Sequence, residues 1–212
     1  MKANFQILLF LTFLFSCTDQ KQETEPAALS KKVKEFPFFQ HEKETFRQWN
    51  NYHRSHGSGF QNMDFTKSRP IKTEFTKGTI YATFDKEFDK TYLPFLVYSP
   101  NKEKYIDFNS YHWTLVDGEP QFEIDQEINL VDTKQKTVKR IAFCGSEELV
   151  EDVYWQDENT VVLLKMIDGN RAKITSVDLK TETSKSYTSI HKSDSPSDYF
   201  KTRISNRLKN RQ

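Results

Sequence analysis

The sequence predicts a mainly β domain built from two antiparallel four-stranded meanders, with one helix near each end of the domain. Three observations predict this class. The chain has 18 phenylalanines and 9 tyrosines but only 6 glycines, and aromatic side chains favour strands, whereas a phosphate-binding loop would need glycine. A pattern within residues 95–143 recurs within residues 150–190, and an amphipathic stretch lies on either side of this pair.

The chain opens with the layout of an export signal. Lys2 precedes an apolar run from Ile7 to Phe15, and the small residue Ser16 precedes Cys17. The run has about half of the ~20 residues that a helix needs to cross a bilayer. A charged start, a short apolar run and a small residue before the cut are typical of a secretory signal. An ordinary signal peptide and a buried N-terminal strand remain alternatives.

The residues around the cysteine resemble the lipobox of bacterial lipoproteins. Leu14 and Ser16 match that motif, whereas Phe15 is larger than the residue usual at its position. The resemblance implies that residues 1–16 are removed as a lipoprotein signal peptide and that the Cys17 sulfur receives a diacylglyceryl group. Two or three acyl chains, palmitate among them, would then hold the protein at the membrane.

Residues 17–35 are predicted to be the lipidated cysteine followed by a flexible tether. The stretch "TDQKQETEPAALSKKVKE" is charged and has one proline, no glycine and no aromatic residue, which is too little apolar surface for it to order itself. In lipoproteins, an aspartate directly after the cysteine implies retention at the inner membrane. Here Thr18 takes that place and the aspartate is Asp19, which implies the outer membrane if the host has two.

Residues 36–212 are long enough for a single β-rich domain with its own core. The balance of 31 Lys and Arg against 30 Asp and Glu argues against a nucleic-acid partner, because such proteins are usually basic. If Cys17 is lipidated, Cys144 has no cysteine left to pair with in this chain. A buried thiol at the end of a strand is then the expectation.

The first amphipathic stretch, residues 41–55, predicts a helix. Phe46, Trp49 and His53 share one face, and Gly57 follows as a terminator. Residues 71–84, "IKTEFTKGTIYATF", then suggest a hairpin.

The repeat is clearest between residues 128–141 and 174–187. At a constant offset of 46, six of fourteen positions carry the same residue. Upstream, residues 97–108 align with 153–164 at a larger offset, because the first copy has longer arms. The identical pairs are Ile128/Ile174, Val131/Val177, Asp132/Asp178, Lys134/Lys180, Thr137/Thr183 and Lys139/Lys185. An Asp-Gly pair, at residues 116–118 and 167–169, offers a tight turn in each copy.

Each copy therefore reads as four strands joined by three turns. The stretch "YSPNKEKYI" resembles the Ser-Pro-Asp-Gly-Lys turn of bacterial β-propeller repeats such as those of the Tol envelope system. The resemblance implies propeller-blade-like units. A closed propeller needs at least four blades, so two copies imply an open structure whose strand edges are covered in another way.

The last amphipathic stretch predicts a C-terminal helix over residues 196–210. Ser195 serves as N-cap with Pro196 at the first helical position, and an apolar stripe of Phe200, Ile204 and Leu208 would cover a sheet edge or face. The cations between them predict a solvated face, or alternatively a surface for anionic lipid or an acidic partner. These cations are Lys201, Arg203, Arg207, Lys209 and Arg211.

Five aromatic residues near the strand ends are candidates for binding a sugar or a peptide, with core packing as the alternative. They are Tyr98, Tyr111, Trp113, Tyr154 and Trp155.

Five acidic residues within 117–127 could serve a hydrolase, which needs two facing carboxylates. They are Asp117, Glu119, Glu123, Asp125 and Glu127. On a strand, the last three would share one polar face.

The sequence predicts neither a cofactor nor a metal site. His53 and His56 are three residues apart, with His41 before them, but the usual zinc spacing is absent. Residues 85–89, "DKEFD", have the acids of a calcium loop without its glycine, and a strand's solvent face accounts for them.

Together these patterns predict an exported, lipid-anchored binding or assembly module of the cell envelope, with an envelope protein or glycan as its partner. The alternative is an envelope hydrolase acting on carbohydrate or peptide through residues 117–127. The sequence favours the first, since no catalytic motif is present.

Overall fold

A computed structural model describes residues 31–32, 43–56 and 65–210 of the chain. Its two α-helices are α1 (Glu44–Ser55) and α2 (Tyr199–Lys209), and a 3₁₀ helix spans Lys90–Phe95. The first eight strands are β1 (Lys31–Lys32), β2 (Phe65–Lys67), β3 (Ile71–Lys72), β4 (Thr76–Lys77), β5 (Val97–Tyr98), β6 (Lys104–Asp107), β7 (Trp113–Val116) and β8 (Glu119–Phe122). The remaining strands are β9 (Gln126–Asp132), β10 (Thr137–Cys144), β11 (Glu148–Trp155), β12 (Thr160–Ile167), β13 (Arg171–Asp178) and β14 (Thr183–Ser189).

Sheet I has seven strands and is built around one meander. Strands β11, β12, β13 and β14 follow each other in space as they do in the chain, and every pairing is antiparallel. The short strands β2 and β3 extend the sheet along β14, and β1 pairs with β2. The residues of the predicted tether that the structure describes are thus Lys31 and Lys32, which make this last pairing.

Sheet II has five strands in the order β4, β10, β9, β6, β5. Strands β5, β6, β9 and β10 form the second meander, again antiparallel throughout. Between β6 and β9 the chain makes a separate hairpin of β7 and β8. The predicted fold class, two antiparallel four-stranded meanders that do not close, is therefore confirmed.

Both predicted Asp-Gly turns are present. Asp117 and Gly118 have φ values of 52° and 83°, and Asp168 and Gly169 have 51° and 72°, which are the left-handed conformations that aspartate and glycine tolerate best. The first turn joins β7 to β8, and the second joins β12 to β13. The first copy thus has its turn on an inserted hairpin, which accounts for its greater length.

The hairpin predicted for residues 71–84 is wrong. Strand β3 pairs with β14 of sheet I, whereas β4 pairs with β10 of sheet II. The segment therefore bridges the two sheets. Each of its two-residue strands pairs with the edge of a longer strand, which provides more backbone partners than the other short strand would.

The two sheets face each other across the main core. Its side chains come from β6, β9 and β10 on one side and from β11, β12 and β13 on the other, and Phe200 and Ile204 of α2 complete it. Phe46 and Trp49 of α1 pack on the outer face of sheet I. Residues 80–88 cover the outer face of sheet II. The two meanders therefore share the main core, and each sheet has a smaller buried cluster on its outer face.

Helix α1 confirms the apolar face predicted from the sequence, since Phe46, Trp49 and His53 are all buried. The described helix begins at Glu44, and His41 and the predicted terminator Gly57 lie outside the described residues. His56 occupies the C-cap position.

Helix α2 begins three residues later than residue 196. Its N-cap is Asp198, which makes no side-chain capping bond, so the predicted start at Pro196 is wrong. Instead the Ser197 backbone N–H donates to the Gly169 carbonyl (2.8 Å) and ties this segment to the β12–β13 turn. The predicted stripe is confirmed, with Phe200 and Ile204 buried and Leu208 packed against the core.

Candidate binding grooves

A groove of about 570 Å³ runs between the two helices, with sheet I as its floor, and is called the helix groove below. Helix α1 lines it with Gln48 and Asn51, and the α2 side contributes Asn206 and Asn210. Asp152 lies in the floor, and Arg203 and Arg207 also line the groove. Its volume is that of a small-ligand site.

A β-bulge in β11 shapes the floor of the helix groove. The register of β11 against β12 shifts between Val150 and Asp152, so Glu151 is an extra residue. Val150 and Val153 both face the main core, although a regular strand would turn residues three apart to opposite sides. The extra residue thus directs two consecutive acids, Glu151 and Asp152, toward the helices.

Glu151 is fully buried and joins three parts of the chain. Its Oε2 accepts from Trp49 Nε1 (2.7 Å) and lies 2.9 Å from His53 Nε2, while Ser197 Oγ donates to its Oε1. The glutamate stands between the serine and the histidine. In a nucleophilic triad the histidine occupies the middle position, where it takes the proton of the serine. The arrangement therefore ties α1 to the start of α2 and does not activate Ser197.

Asp152 is held by Tyr199. The tyrosine hydroxyl donates to Asp152 Oδ2 (2.9 Å). Burial and the adjacent carboxylate raise the pKa of Tyr199 well above its usual range, so the phenol keeps its proton and remains a donor. Asp152 is thereby fixed in the groove floor with 7% of its surface exposed.

Arg203 corrects the expectation that the cations of the C-terminal helix form a solvated face. Its guanidinium carbon lies 4.8 Å from the Phe108 ring centroid and 5.1 Å from that of Phe200, and Nη2 donates to Asn109 Oδ1 (3.1 Å). Burial lowers its pKa. Arg203 packs inward because it covers the aromatic rings with a cation that attracts their faces.

A second cavity of about 450 Å³ lies at the outer side of sheet II and is called the aromatic groove below. The rings of Tyr81, Tyr92 and Tyr111 line it, together with the Thr79 and Ser110 hydroxyls and the carboxylates of Glu87 and Asp89. Tyr81 is 59% exposed and Tyr111 36%. Phe143, also exposed, lies at the rim with its ring centroid 6.5 Å from that of Tyr111.

The five predicted binding aromatics are not brought together. Trp113, Tyr154 and Trp155 are buried in the cores, which is the packing alternative. Tyr98 is exposed and packs against Tyr105 outside both grooves, with ring centroids 5.4 Å apart and the ring planes tilted by 55°. Tyr111 alone of the five lines the aromatic groove.

The acids of residues 117–127 do not share one strand face, contrary to expectation. Glu123 and Asp125 lie in the connection between β8 and β9 rather than on a strand. Asp117 is in the turn at the hairpin tip and Glu119 opens β8. Glu127 is buried and accepts from Arg140 Nη1 (2.9 Å) and from the Thr79 hydroxyl (3.0 Å). Its oxygens are occupied by structural partners.

The predicted metal-type motifs also separate in the structure. His53 faces the core, whereas the His56 ring stacks on Tyr52 with a centroid separation of 4.1 Å. Asp85 and Asp89 accept backbone N–H groups of a turn and of the 3₁₀ helix, so residues 85–89 form turns and not the predicted strand. Within the described ranges, no three His, Cys, Asp or Glu side chains are grouped to hold a metal.

Cys144 is buried in the main core with a free thiol, as predicted, and burial raises its pKa. Cys17 and the rest of the predicted export signal lie outside the described residues. No helix in the described part of the chain has the length and apolar character to cross a membrane.

Sequence reasoning did not find Glu151, Asp152 or Tyr81 as site residues. The one signal for the two acids is their position in "ELVEDVYW", where two consecutive charges interrupt an otherwise apolar strand. Tyr81 lies in a segment predicted to pair as a hairpin, and so its exposure was not evident.

No protein-family model matches the chain, and no curated protein and no solved structure shows significant similarity to it. A functional proposal for this chain therefore rests on the sequence motifs and the two grooves.

Proposed function

We propose that this chain is a lipid-anchored binding module of the cell envelope, held by Cys17 and binding a glycan in the aromatic groove. The observation that carries the binding role is the exposure of the Tyr81 and Tyr111 rings beside hydroxyl and carboxylate groups. A sugar ring has apolar C–H faces and a rim of hydroxyls. Exposed aromatic faces next to polar acceptors match both parts of such a ligand.

A glycan fits this groove better than a protein surface does. Protein interfaces have a cluster of apolar anchors at their centre and polar groups at the rim. Here Glu87, Asp89, Thr79 and Ser110 line the cavity together with its tyrosines, so polar and aromatic residues share the lining. An envelope protein partner is the competing outcome of the test below.

The anchor is supported by the sequence alone. The signal-like start, the lipobox-like residues before Cys17 and the charged stretch after it support a location outside the cytoplasm, on the outer membrane where the host has one. Growth with labelled palmitate is expected to label the wild type, and Cys17→Ser is expected to remove the label and release the protein. Unlabelled wild type that still sediments with the membrane would contradict the anchor.

Glycan binding is tested with the full-length protein in detergent and with isolated murein sacculi. We expect the wild type to sediment with the sacculi, and Tyr81→Ala and Tyr111→Ala each to weaken binding at least about tenfold, or ~1.4 kcal/mol. Tyr98→Ala is the matched control, because the exposure of Tyr98 (43%) lies between those of Tyr111 and Tyr81 and the residue is outside the groove. Equal losses for all three variants, or crosslinking in intact cells that recovers only a protein partner, would contradict the proposal.

The two meanders are further proposed to be copies of one propeller-blade-like repeat. Asp132 and Asp178 both end the third strand of their meander, and each carboxylate accepts the backbone N–H three residues later (2.8 Å in both). Lys136 and Glu182, also 46 apart, both have φ of 52°. This likeness of turn chemistry supports a common origin.

The hydrolase alternative gains no support from the positions of its acids. Glu127 is occupied by Arg140 and Thr79, and the other four carboxylates lie in the hairpin and the connection that follows it.

A further inference from the structure

The helix groove combines side chains of opposite charge. Asp152 belongs to the floor, on β11, whereas Arg203 and Arg207 reach the groove from α2. A neutral ligand would leave both charges unused. A ligand with one positive and one negative group could engage both at once.

Asp152 keeps the capacity to accept a cation. Its Oδ1 accepts from the Val153 backbone N–H (3.0 Å) and its Oδ2 from the Tyr199 hydroxyl (2.9 Å). A carboxylate has about four lone-pair sites, so roughly two remain. Because the group is 7% exposed, the surrounding dielectric is low and attraction to an ammonium is strengthened.

Arg207 keeps donors for an anion. It is exposed and uses one N–H group, from Nη1 to the Pro94 carbonyl (2.9 Å). Arg203 Nε and Nη1 are buried without a hydrogen-bond partner, so they do not face the groove. Among the described residues, no carboxylate lies within ion-pairing distance of either guanidinium.

The walls of the helix groove carry amides. Gln48 and Asn51 lie on one side and Asn206 and Asn210 on the other, and each amide both donates and accepts, as a peptide group does. From Gln48 to Ser55 the helix rises about 10 Å. An extended chain covers ~3.5 Å per residue, so two or three residues fit this length.

We propose that the helix groove binds a short zwitterionic peptide, with its α-ammonium group at Asp152 and its carboxylate at Arg207. The amides of the two walls bind the peptide groups between these ends. This site is separate from the aromatic groove and does not depend on the glycan proposal.

The test is calorimetric titration of the whole protein with trialanine. We expect trialanine to bind, N-acetyl-trialanine and trialanine amide each to bind at least tenfold more weakly, and the doubly blocked peptide to give no heat. Maltose, a neutral polyol of similar length, is also expected to give none. These ligands separate recognition of each charge from recognition of hydroxyl groups.

Two variants locate the site. Arg207→Gln is expected to weaken trialanine at least tenfold while leaving trialanine amide unchanged, and Lys209→Gln, the same charge change outside the groove on the same helix, is expected to have no effect. Asp152→Asn should weaken trialanine and leave N-acetyl-trialanine unchanged. The fold of the Asp152→Asn variant is checked by circular dichroism. If this variant does not fold, Arg207→Gln still tests the site, because Arg207 is exposed and its replacement does not open the core.

Several results would overturn the proposal. They are absence of trialanine binding at millimolar concentration, equal binding of free and doubly blocked peptide, binding of maltose alone, and equal effects of Arg207→Gln and Lys209→Gln.

Discussion

Gly78 occupies a position where even a methyl group has no room. A Cβ atom there would lie 2.2 Å from Asn129 Oδ1 and 2.7 Å from Val138 Cγ1. The glycine follows β4, and its backbone N–H donates to the Val138 carbonyl (3.2 Å), so the strand cannot move away without losing its pairing. We expect Gly78→Ala to lower the free energy of unfolding by roughly 1–3 kcal/mol, measured by urea denaturation.

Gly145 provides the matched control for this substitution. A Cβ atom at Gly145 would meet only Asp125 Oδ1, at 3.8 Å, which is ordinary van der Waals contact. Gly145→Ala should leave the urea midpoint almost unchanged. Similar midpoints for the two variants would show that β4 can shift to admit a side chain.

The buried carboxylate of Glu151 is expected to matter more for stability than any acid at the surface. In Glu151→Gln, the amide nitrogen would face at least one of the three donors now bound by the carboxylate. A buried group without a partner costs about 1–3 kcal/mol, and more where a charge is involved. We expect a loss of ~2–4 kcal/mol by urea denaturation, against less than about 0.5 kcal/mol for Glu147→Gln at an exposed position. A small effect at Glu151 would mean that the three elements are held by packing alone.

At the residue scale, the sequence predicted individual side chains where the chemistry is local. The φ values of Asp117 and Gly118 follow from the pair itself, because few residues tolerate a left-handed turn. The roles of Glu151 and Arg203 depend on elements some 50 to 100 positions away in the chain. Two consecutive acids in a mostly apolar strand mark the position of the bulge, but they do not say which element each acid meets.

At the element scale, helix α2 has an inner cation and outer cations that the sequence does not distinguish. Arg203→Glu would place a carboxylate between two aromatic rings and near Glu151 and Asp152. We expect it to cost at least about 3 kcal/mol of unfolding free energy. Lys209→Glu, exposed in the last turn, should cost at most ~1 kcal/mol, through the helix dipole.

Thermal or urea unfolding of the two charge reversals checks this difference. If both variants had the same midpoint, the guanidinium of Arg203 would have to leave the rings at little cost, and the inward packing would not contribute to stability.

The turn after β13 is expected to make the free energy of unfolding depend on pH in the acidic range, and a single substitution can isolate this contribution. The backbone N–H of Thr181, followed by that of Lys180, donates to the Asp178 carboxylate and lowers its pKa. This stabilisation is complete above the ordinary aspartate value of about 4 and is lost as the pH falls through the lower pKa of the folded state. Because the group is exposed, the effect should be a few tenths of a kcal/mol.

Asp178→Asn keeps an acceptor but does not titrate. We expect the wild type to be more stable than this variant at pH 6, and the difference to vanish below about pH 3, as followed by urea midpoints across this range. A difference that stays constant with pH would assign the effect to the amide geometry instead of the charge.

Elements with a strong local pattern were predicted well. Helix α1 has its apolar face where the spacing of Phe46 and Trp49 places it, and the eight strands of the meanders match the repeated segments to within two residues. Strands β3 and β4 have only two residues each. Such short strands are defined by the edge that they meet, which the sequence of residues 71–84 does not contain.

At the scale of the whole molecule, the shared core predicts a single unfolding transition. Phe200 and Ile204 pack with residues of both sheets, so removing either sheet exposes the inner face of the other. We expect the calorimetric and van't Hoff enthalpies of unfolding to agree, and the fragment 150–190 to remain unfolded by circular dichroism. Two separate transitions, or a folded fragment, would show that each meander is stable alone.

The part of the overall arrangement that depends on the repeated pattern was predictable from the sequence. Two meanders that cannot close a ring follow from two copies of one pattern, and the need for a covering helix follows from their exposed edges. The face-to-face packing of the sheets and the position of the helix groove do not follow. They depend on which side of each sheet is the more apolar once β2, β3 and β4 have joined the edges.

The pairing of β2 with β14 brings together residues about 120 positions apart, such as Thr66 and Thr188. The loss of chain entropy on closing so long a loop raises the free energy by roughly 3 kcal/mol more than closing a five-residue hairpin does. The meander of β11 to β14 can therefore form early, because its strands are joined by short turns. The pairing of β2 with β14 can form only after this meander is in place. Substitutions at Phe65 would then speed unfolding and leave the rate of folding nearly unchanged, which makes this edge the late step in the kinetics of the chain.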